Sequence, residues 1–455
     1  MRDLIFVGYV AAILLLAFRR PFIFTLIYAY IDICAPQRLS YFMLNAVPLS
    51  LIVFALAVLG FLIADDKKNV RVSPRWLLLL LLLLYCGYTT TTAIEPVAAA
   101  EKWSWVWKAL VFAAFLPLTL TTKLRIEALI LTMVLCLSAL LVTGGIKTLA
   151  GGGGYGLLVL LIDDNSGLFE GSIISCVAIS AIPLILWLAK HGTIFKPDWR
   201  VRCYAAALVF SCLLIPVGTQ ARTGLVCIAI LGILTLRFVR YRLLYVGGLA
   251  MLGLAAIPLL PSSFTERADT IRDYRQDESA YTRIAVWQWT WEFAKNHPFG
   301  GGFNSYLQNK IVYDIETKKD PRAPAEEFPP ESGTKQVVDA SRAFHSSYFE
   351  MLGEQGYPGL IIWLLIHFGG VWRMEILTRL YKKRARGDEE WVAPLATALQ
   401  NAQIIFLVGS LFVGIAFQPF VYMLIGLQIG LDGYLARRRT EAAWRPIKIR
   451  RQRPA

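Results

Sequence analysis

His345, Arg222 and Arg283 are the side chains whose types and settings best suit chemistry at a membrane surface. His345 stands at the mouth of an apolar run, flanked by Phe344, Ser346 and Ser347. An imidazole, with its ordinary pKa of about 6.5, can take a proton from an attacking hydroxyl near neutral pH. The plainer reading is a helix-capping or interface histidine. Arg222 lies in GTQARTG, a very short connection between two apolar runs. Arg283 opens a tryptophan-rich stretch, YTRIAVWQWTWEFAKN. Guanidinium groups are permanently charged and hold a diphosphate through paired hydrogen bonds without a metal. Read plainly, Arg222 is a snorkelling anchor and Arg283 faces lipid phosphates.

Other candidates rank lower. Arg275, Arg342 and Lys295 are secondary candidates for the same anion, each read more simply as solvated. In the Asp163-Asp164-Asn165 cluster, Asn165 and its neighbours could orient a sugar hydroxyl, although a role in binding nothing is favoured. His297 precedes a proline and glycines and reads as turn-stabilising; His191 falls on the basic side and His367 inside a span. No metal site and no cofactor are expected. The seven cysteines lie in or beside apolar runs without a CxxC pair, so they read as small buried hydrophobes. Neither a zinc-protease HExxH nor a Ser-His-Asp spacing occurs.

The elements that must position these residues are membrane helices. Fifty-six per cent of the 455 residues are hydrophobic, and apolar runs recur along nearly the whole chain. The spacing predicts spans at 4–18, 22–35, 48–64, 76–93, 106–120, 126–142, 170–189, 203–218, 224–239, 243–261, 351–372, 399–417 and 419–435. The expected fold is an all-α polytopic membrane protein of about 12 to 13 transmembrane helices. One large loop, with short helices of its own, is expected outside the membrane. The net charge of +14 does not point to nucleic acid, because Lys and Arg cluster between apolar runs rather than on a soluble module. Alternate connections hold 29 of the 46 basic residues, which makes that side cytoplasmic. The C-terminus then lies inside and 262–350 lies in the periplasm. Residues 1–18 have no small-residue cleavage site and read as a retained anchor.

This gives five regions: N-terminal helices at 1–125, central helices at 126–261, the loop at 262–350, C-terminal helices at 351–435 and a basic tail at 436–455. Within the loop, an interfacial helix is expected over about 279–296, ended by HPFGGGF. The Pro-rich stretch 318–335 is expected to be mobile or to cap a site, and a second helix to lead through Phe344 and His345 into the span at 351. The GGGGYG run lacks a following GK[ST] and is not a nucleotide loop.

Three motifs in chain order resemble the O-antigen ligase and polymerase superfamily. They are QARTG at 220–224, TRIAVWQWTWEFAKNHPFGGGFNSY at 282–306, and FHSSYFEMLGEQGYPGL at 344–360. The resemblance covers roughly 160–435. In addition, RRPFIFTLIYAYIDICAPQRLSYF at 19–42 and EKWSWVWKAL at 101–110 are similar to the O-glycosylation ligases found with exosortase A systems, which accompany exopolysaccharide synthesis. The resemblance implies a metal-independent glycosyltransferase of the bacterial inner membrane. It would move a glycan from an undecaprenyl-diphosphate carrier to a hydroxyl on an acceptor lipid, protein or glycan, among membrane lipids and exopolysaccharide assembly proteins. Carried over by motif, His345 would activate the hydroxyl while Arg222 and Arg283 hold the leaving diphosphate. An asparagine is frequent in the family near the span matching 170–189; the DDNSG sequence around Asn165 departs from that pattern.

Three rivals stand beside this reading. A chain-extending polymerase shares fold and site. A transporter or flippase of polyprenyl-linked saccharides should show internal repeats and midplane charges, and no convincing repeat is present. A scaffold for exopolysaccharide assembly is the third.

Overall fold

A computed structural model describes residues 2–40, 43–44, 47–65, 67, 73–151, 168, 170–256, 278–316, 334–384 and 387–443. Arg275, Asn165, most of GGGGYG, most of the Pro-rich stretch and residues 444–455 lie outside the described residues.

The first half is helical: α1 (Arg2–Arg19), α2 (Phe22–Cys34), the single turn α3 (Pro36–Leu39), α4 (Leu49–Ala64), α5 (Pro74–Thr91), α6 (Pro96–Thr119) and α7 (Lys123–Gly151). There follow α8 (Gly171–His191), α9 (Trp199–Gly218), α10 (Arg222–Thr235), α11 (Arg242–Ala256) and α12 (Glu278–Asn296). The chain ends with α13 (Ser347–Arg384), α14 (Val392–Gly409) and α15 (Pro419–Ala443). Each of the thirteen predicted apolar runs has a helix across most of it. Among the described residues, α7, α8, α9, α13, α14 and α15 are long and apolar enough to cross a membrane; α2, α4 and α10 are shorter apolar helices.

Local chemistry explains the boundaries. At α5, the Ser73 hydroxyl accepts from the Arg75 amide and Pro74 occupies the first turn, before a run of leucines. At α9, the Asp198 carboxylate accepts from the Trp199 amide at 2.6 Å. The core lies around α15, almost wholly buried; α14 packs on α8 and α13, and α15 on α6. At the rim Leu243 is 89% and Ile63 83% exposed, surface that suits lipid rather than water.

The loop region departs from expectation in one element. Helix α12 matches the predicted interfacial helix, but the second helix through Phe344 and His345 is not there. Instead β1 (Lys310–Glu316) pairs antiparallel with β2 (Thr334–Ala340), Val312 opposite Val338. The chain then bends and enters α13 only at Ser347. His345 has φ of +49°, in the left-handed region, which a right-handed helix does not admit. The Asn309 side chain fixes the bend from both sides, accepting from the Arg342 amide at 2.9 Å and donating to its carbonyl at 2.6 Å.

Candidate active site

A cavity of about 670 Å³ opens at the hairpin end of the bundle. Its walls come from α6 (Glu101, Lys102, Trp105), the residue before α8 (Glu170), the loop after α12 (Asn304, Tyr306) and the bend before α13 (Ala343, Phe344, His345). The first turns of α13 add Glu350 and Glu354, and the α14–α15 connection closes it with Phe417 and Gln418.

His345 is held by its neighbours rather than by its own bonds. Trp287, on α12, donates its indole N–H to the Phe344 carbonyl at 2.9 Å and stacks on Phe349 at 5.1 Å. The Phe344 ring sits in a small core with Val286 and Ile311. On the other side, Ser347 donates its amide to Ser410 and its hydroxyl to Val413, fixing the start of α13. Burial, then Arg283, then Arg342 push the His345 imidazole down to about 4. It is therefore neutral at physiological pH and able to accept a proton.

Arg283 lies one helical turn before Trp287 on the same face of α12. The same guanidinium acts on Glu170, whose carboxyl is raised by burial and partly restored by that charge. Arg342 pairs with Asp339 at 2.8 Å while acting on His345. The structure thus brings His345, Arg283, Arg342 and Glu170 into one electrostatic neighbourhood. Arg222 is the first residue of α10 and is exposed. Gly171, which follows Glu170, packs on Thr219, three residues before Arg222. Neither Arg222 nor Arg283 is among the described residues lining the cavity itself. Lys295 is exposed and paired with Glu292 at 2.7 Å.

The cavity floor is a buried ionic cluster. The Lys102 ammonium donates to Glu350 Oε1 at 2.6 Å and to Glu354 Oε1 and Oε2 at 2.8 and 2.9 Å. Backbone amides complete both carboxylates: Ala416 donates to Glu350 and Asn304 to Glu354. The lysine also lies 5.6 Å from the centre of the Phe303 ring. Removing one partner of such a cluster costs about 3–5 kcal/mol, because the other charge stays buried.

Against known families, residues 206–364 match the one described as O-antigen ligase. The matched segment contains all three motifs, at 220–224, 282–306 and 344–360. Residues 1–193 match a family of unknown function (DUF5935). No curated protein matches the chain. At its coarse level the family sets the chemistry: ligase- or polymerase-type glycosyl transfer in a multi-pass membrane protein, between a polyprenyl-linked glycan and an acceptor.

Arg222, Arg283, His345, Glu350 and Glu354 all fall within the ligase domain, whereas Lys102 comes from the segment matched by the other family. Sequence reasoning passed over Lys102, Glu350 and Asn304. Glu354 was visible only as the glutamate of the third motif, 252 residues from its partner Lys102. The remaining histidines make contacts of their own. His297 is exposed, stacks on Phe293 at 4.3 Å and lies 3.3 Å from its carbonyl. His367 is buried and bonded to Gln403 at 3.0 Å, and His191 stacks on Trp187. Among the described residues, no three His, Cys, Asp or Glu side chains gather to hold a metal ion.

Proposed function

We propose that the protein is a metal-independent glycosyltransferase that moves a glycan from an undecaprenyl-diphosphate carrier to an acceptor hydroxyl at the periplasmic face. One observation carries this reading: a neutral, half-buried imidazole stands beside Arg283 and Arg342 at a cavity whose His345 wall lies in the segment matched by the O-antigen ligase family. The acceptor oxygen attacks the anomeric carbon, and its proton passes to His345. The bond from that carbon to the diphosphate oxygen breaks, and the carrier leaves as its diphosphate. Arg222 and Arg283 hold the charge that develops there, which stabilises the transition state more than the bound donor. Arg342 is positioned to assist, and its ion pair with Asp339 keeps it near His345. The N-terminal resemblance to exosortase-associated O-glycosylation ligases supports a protein or exopolysaccharide acceptor, and a polymerase would use the same groups.

The test follows a labelled lipid-linked glycan in proteoliposomes. His345→Ala, Arg222→Ala and Arg283→Ala should each lower transfer by about 100-fold or more, with donor accumulating and the protein still inserted. Undiminished transfer by His345→Ala would remove the base from the mechanism. Movement of intact donor across the bilayer without cleavage would make the protein a transporter.

A further inference from the structure

A second cavity lies far from the active site, between α7, α8 and α9, with a volume of about 430 Å³. Its walls are apolar, Leu131, Val134, Ile185, Leu188 and Leu208 among them. It opens sideways, where Leu135, Phe195 and Tyr204 on its lip are 43%, 56% and 48% exposed. The charged residues lining it are Glu127 and Arg200. Glu127 is buried, and its carboxylate is occupied by the Thr193 amide and hydroxyl and the Ile194 amide. Arg200 is exposed and lies 5.6 Å from the ring of Trp199, itself 65% exposed. Lys190, Lys196 and Arg202 belong to the same stretch of chain.

We propose that this groove binds an anionic phospholipid, one acyl chain against the leucines and the phosphate on Arg200. The groove has the two halves such a ligand needs: an apolar slot open to the side and a cation at its mouth. Basic pockets between membrane helices recognise anionic head groups in this way, and an exposed tryptophan marks head-group depth. The polyprenyl donor is the rival occupant, and geometry disfavours it. The groove takes the last turns of α8, Ile185 to Gly192, whereas Glu170 at the active-site cavity precedes its first. A helix of 21 residues spans about 30 Å, so a carrier phosphate held near Arg283 is a bilayer's thickness from Arg200.

The full-length protein in detergent is presented with phosphatidylglycerol or phosphatidylcholine of matched acyl chains, and retained lipid is read by native mass spectrometry. The wild type should retain phosphatidylglycerol preferentially. Arg200→Ala should weaken that retention about fivefold and leave phosphatidylcholine unchanged, the effect of one basic residue on an anionic lipid. Leu135→Trp, at the exposed lip, should abolish preferential retention by blocking entry. Arg240→Ala is the matched control, an exposed arginine also beside an aromatic ring, and should change nothing. Equal retention of the two lipids by the wild type, or an equal loss in Arg240→Ala, overturns the site. So does undecaprenyl phosphate displacing phosphatidylglycerol in the wild type but not in Arg200→Ala.

Discussion

His345 is lowered in basicity by burial first and by two arginines second, and the order has a kinetic consequence. The imidazole must be neutral to accept a proton, so activity governed by the free protein should fall only as pH drops through about 4. An anionic donor beside Arg283 and Arg342 offsets their charge, which raises the imidazole pKa in the complex. We therefore expect the acid limb of kcat to lie at higher pH than that of kcat/KM. Coincident limbs near the ordinary histidine value would show that neither burial nor arginine acts on this group. Trp287 acts on the same group, because its N–H holds the carbonyl just before His345. Trp287→Phe keeps a ring to stack on Phe349 but removes that donor; it should lower kcat about tenfold, the loss of about 1–1.5 kcal/mol for one hydrogen bond, with KM for donor nearly unchanged. An equal rise in KM would mean that the indole serves donor binding instead. His345 and Arg283 were legible because each stands in a motif at the edge of an apolar run. Lys102 was not: it sits in a tryptophan-rich stretch, and its partner Glu350 is 248 residues away, a pairing that only packing reveals.

Between residue and bundle stands a junction of two glycine segments. The turn after α12 lies against a break in α13 at Gly356, whose φ of 64° and ψ of −168° are open to glycine. Gly301 donates to the Gly353 carbonyl, Gly302 to that of Glu354, and Tyr357 back to that of Pro298. A Cβ on Gly356 would collide with the backbone of Pro298 and Gly300. The contact fixes Asn304, which donates to Glu354, and so ties the loop to the cavity floor. Gly356→Ala should lower stability by about 2–4 kcal/mol and reduce transfer, since backbone strain and a steric clash combine. Thermal unfolding in detergent checks it, and a variant as stable as the parent would show that the break relaxes freely. The sequence marked this junction from one side, as HPFGGGF ending a helix, and α12 itself was plain from its length and stops. The β-hairpin was not. KIVYDIE is rich in β-branched and aromatic residues, but its partner begins 18 residues beyond its end, too far for any short-turn signature, and the polar Pro-rich run between them masks the pairing.

At the scale of the molecule, the segment matched by the family of unknown function and the ligase domain share one cavity: Lys102 and Glu170 come from the first, His345, Glu350 and Glu354 from the second. The helical architecture was readable because a membrane asks each span for the same thing, a long apolar run, whereas the cavity depends on which runs lie side by side. Orientation is a separate question, and the distribution of charge supplies the expectation. Of the 46 basic residues, 29 fall in connections on the side of the C-terminal tail, and basic loops resist translocation. The hairpin should therefore face the periplasm, where a lipid-linked glycan meets its acceptor. Cys203 is exposed and is first replaced by serine; the other cysteines are buried or half-buried. In that background Lys310→Cys and Glu441→Cys place single thiols at exposed positions on β1 and at the end of α15. A membrane-impermeant maleimide added to intact spheroplasts should label the first, and the second only after permeabilisation. Labelling of both without permeabilisation would put hairpin and tail on one side. The arginines and His345 would then still share their neighbourhood, but the proposed periplasmic reaction would have lost the face of the membrane on which it must occur.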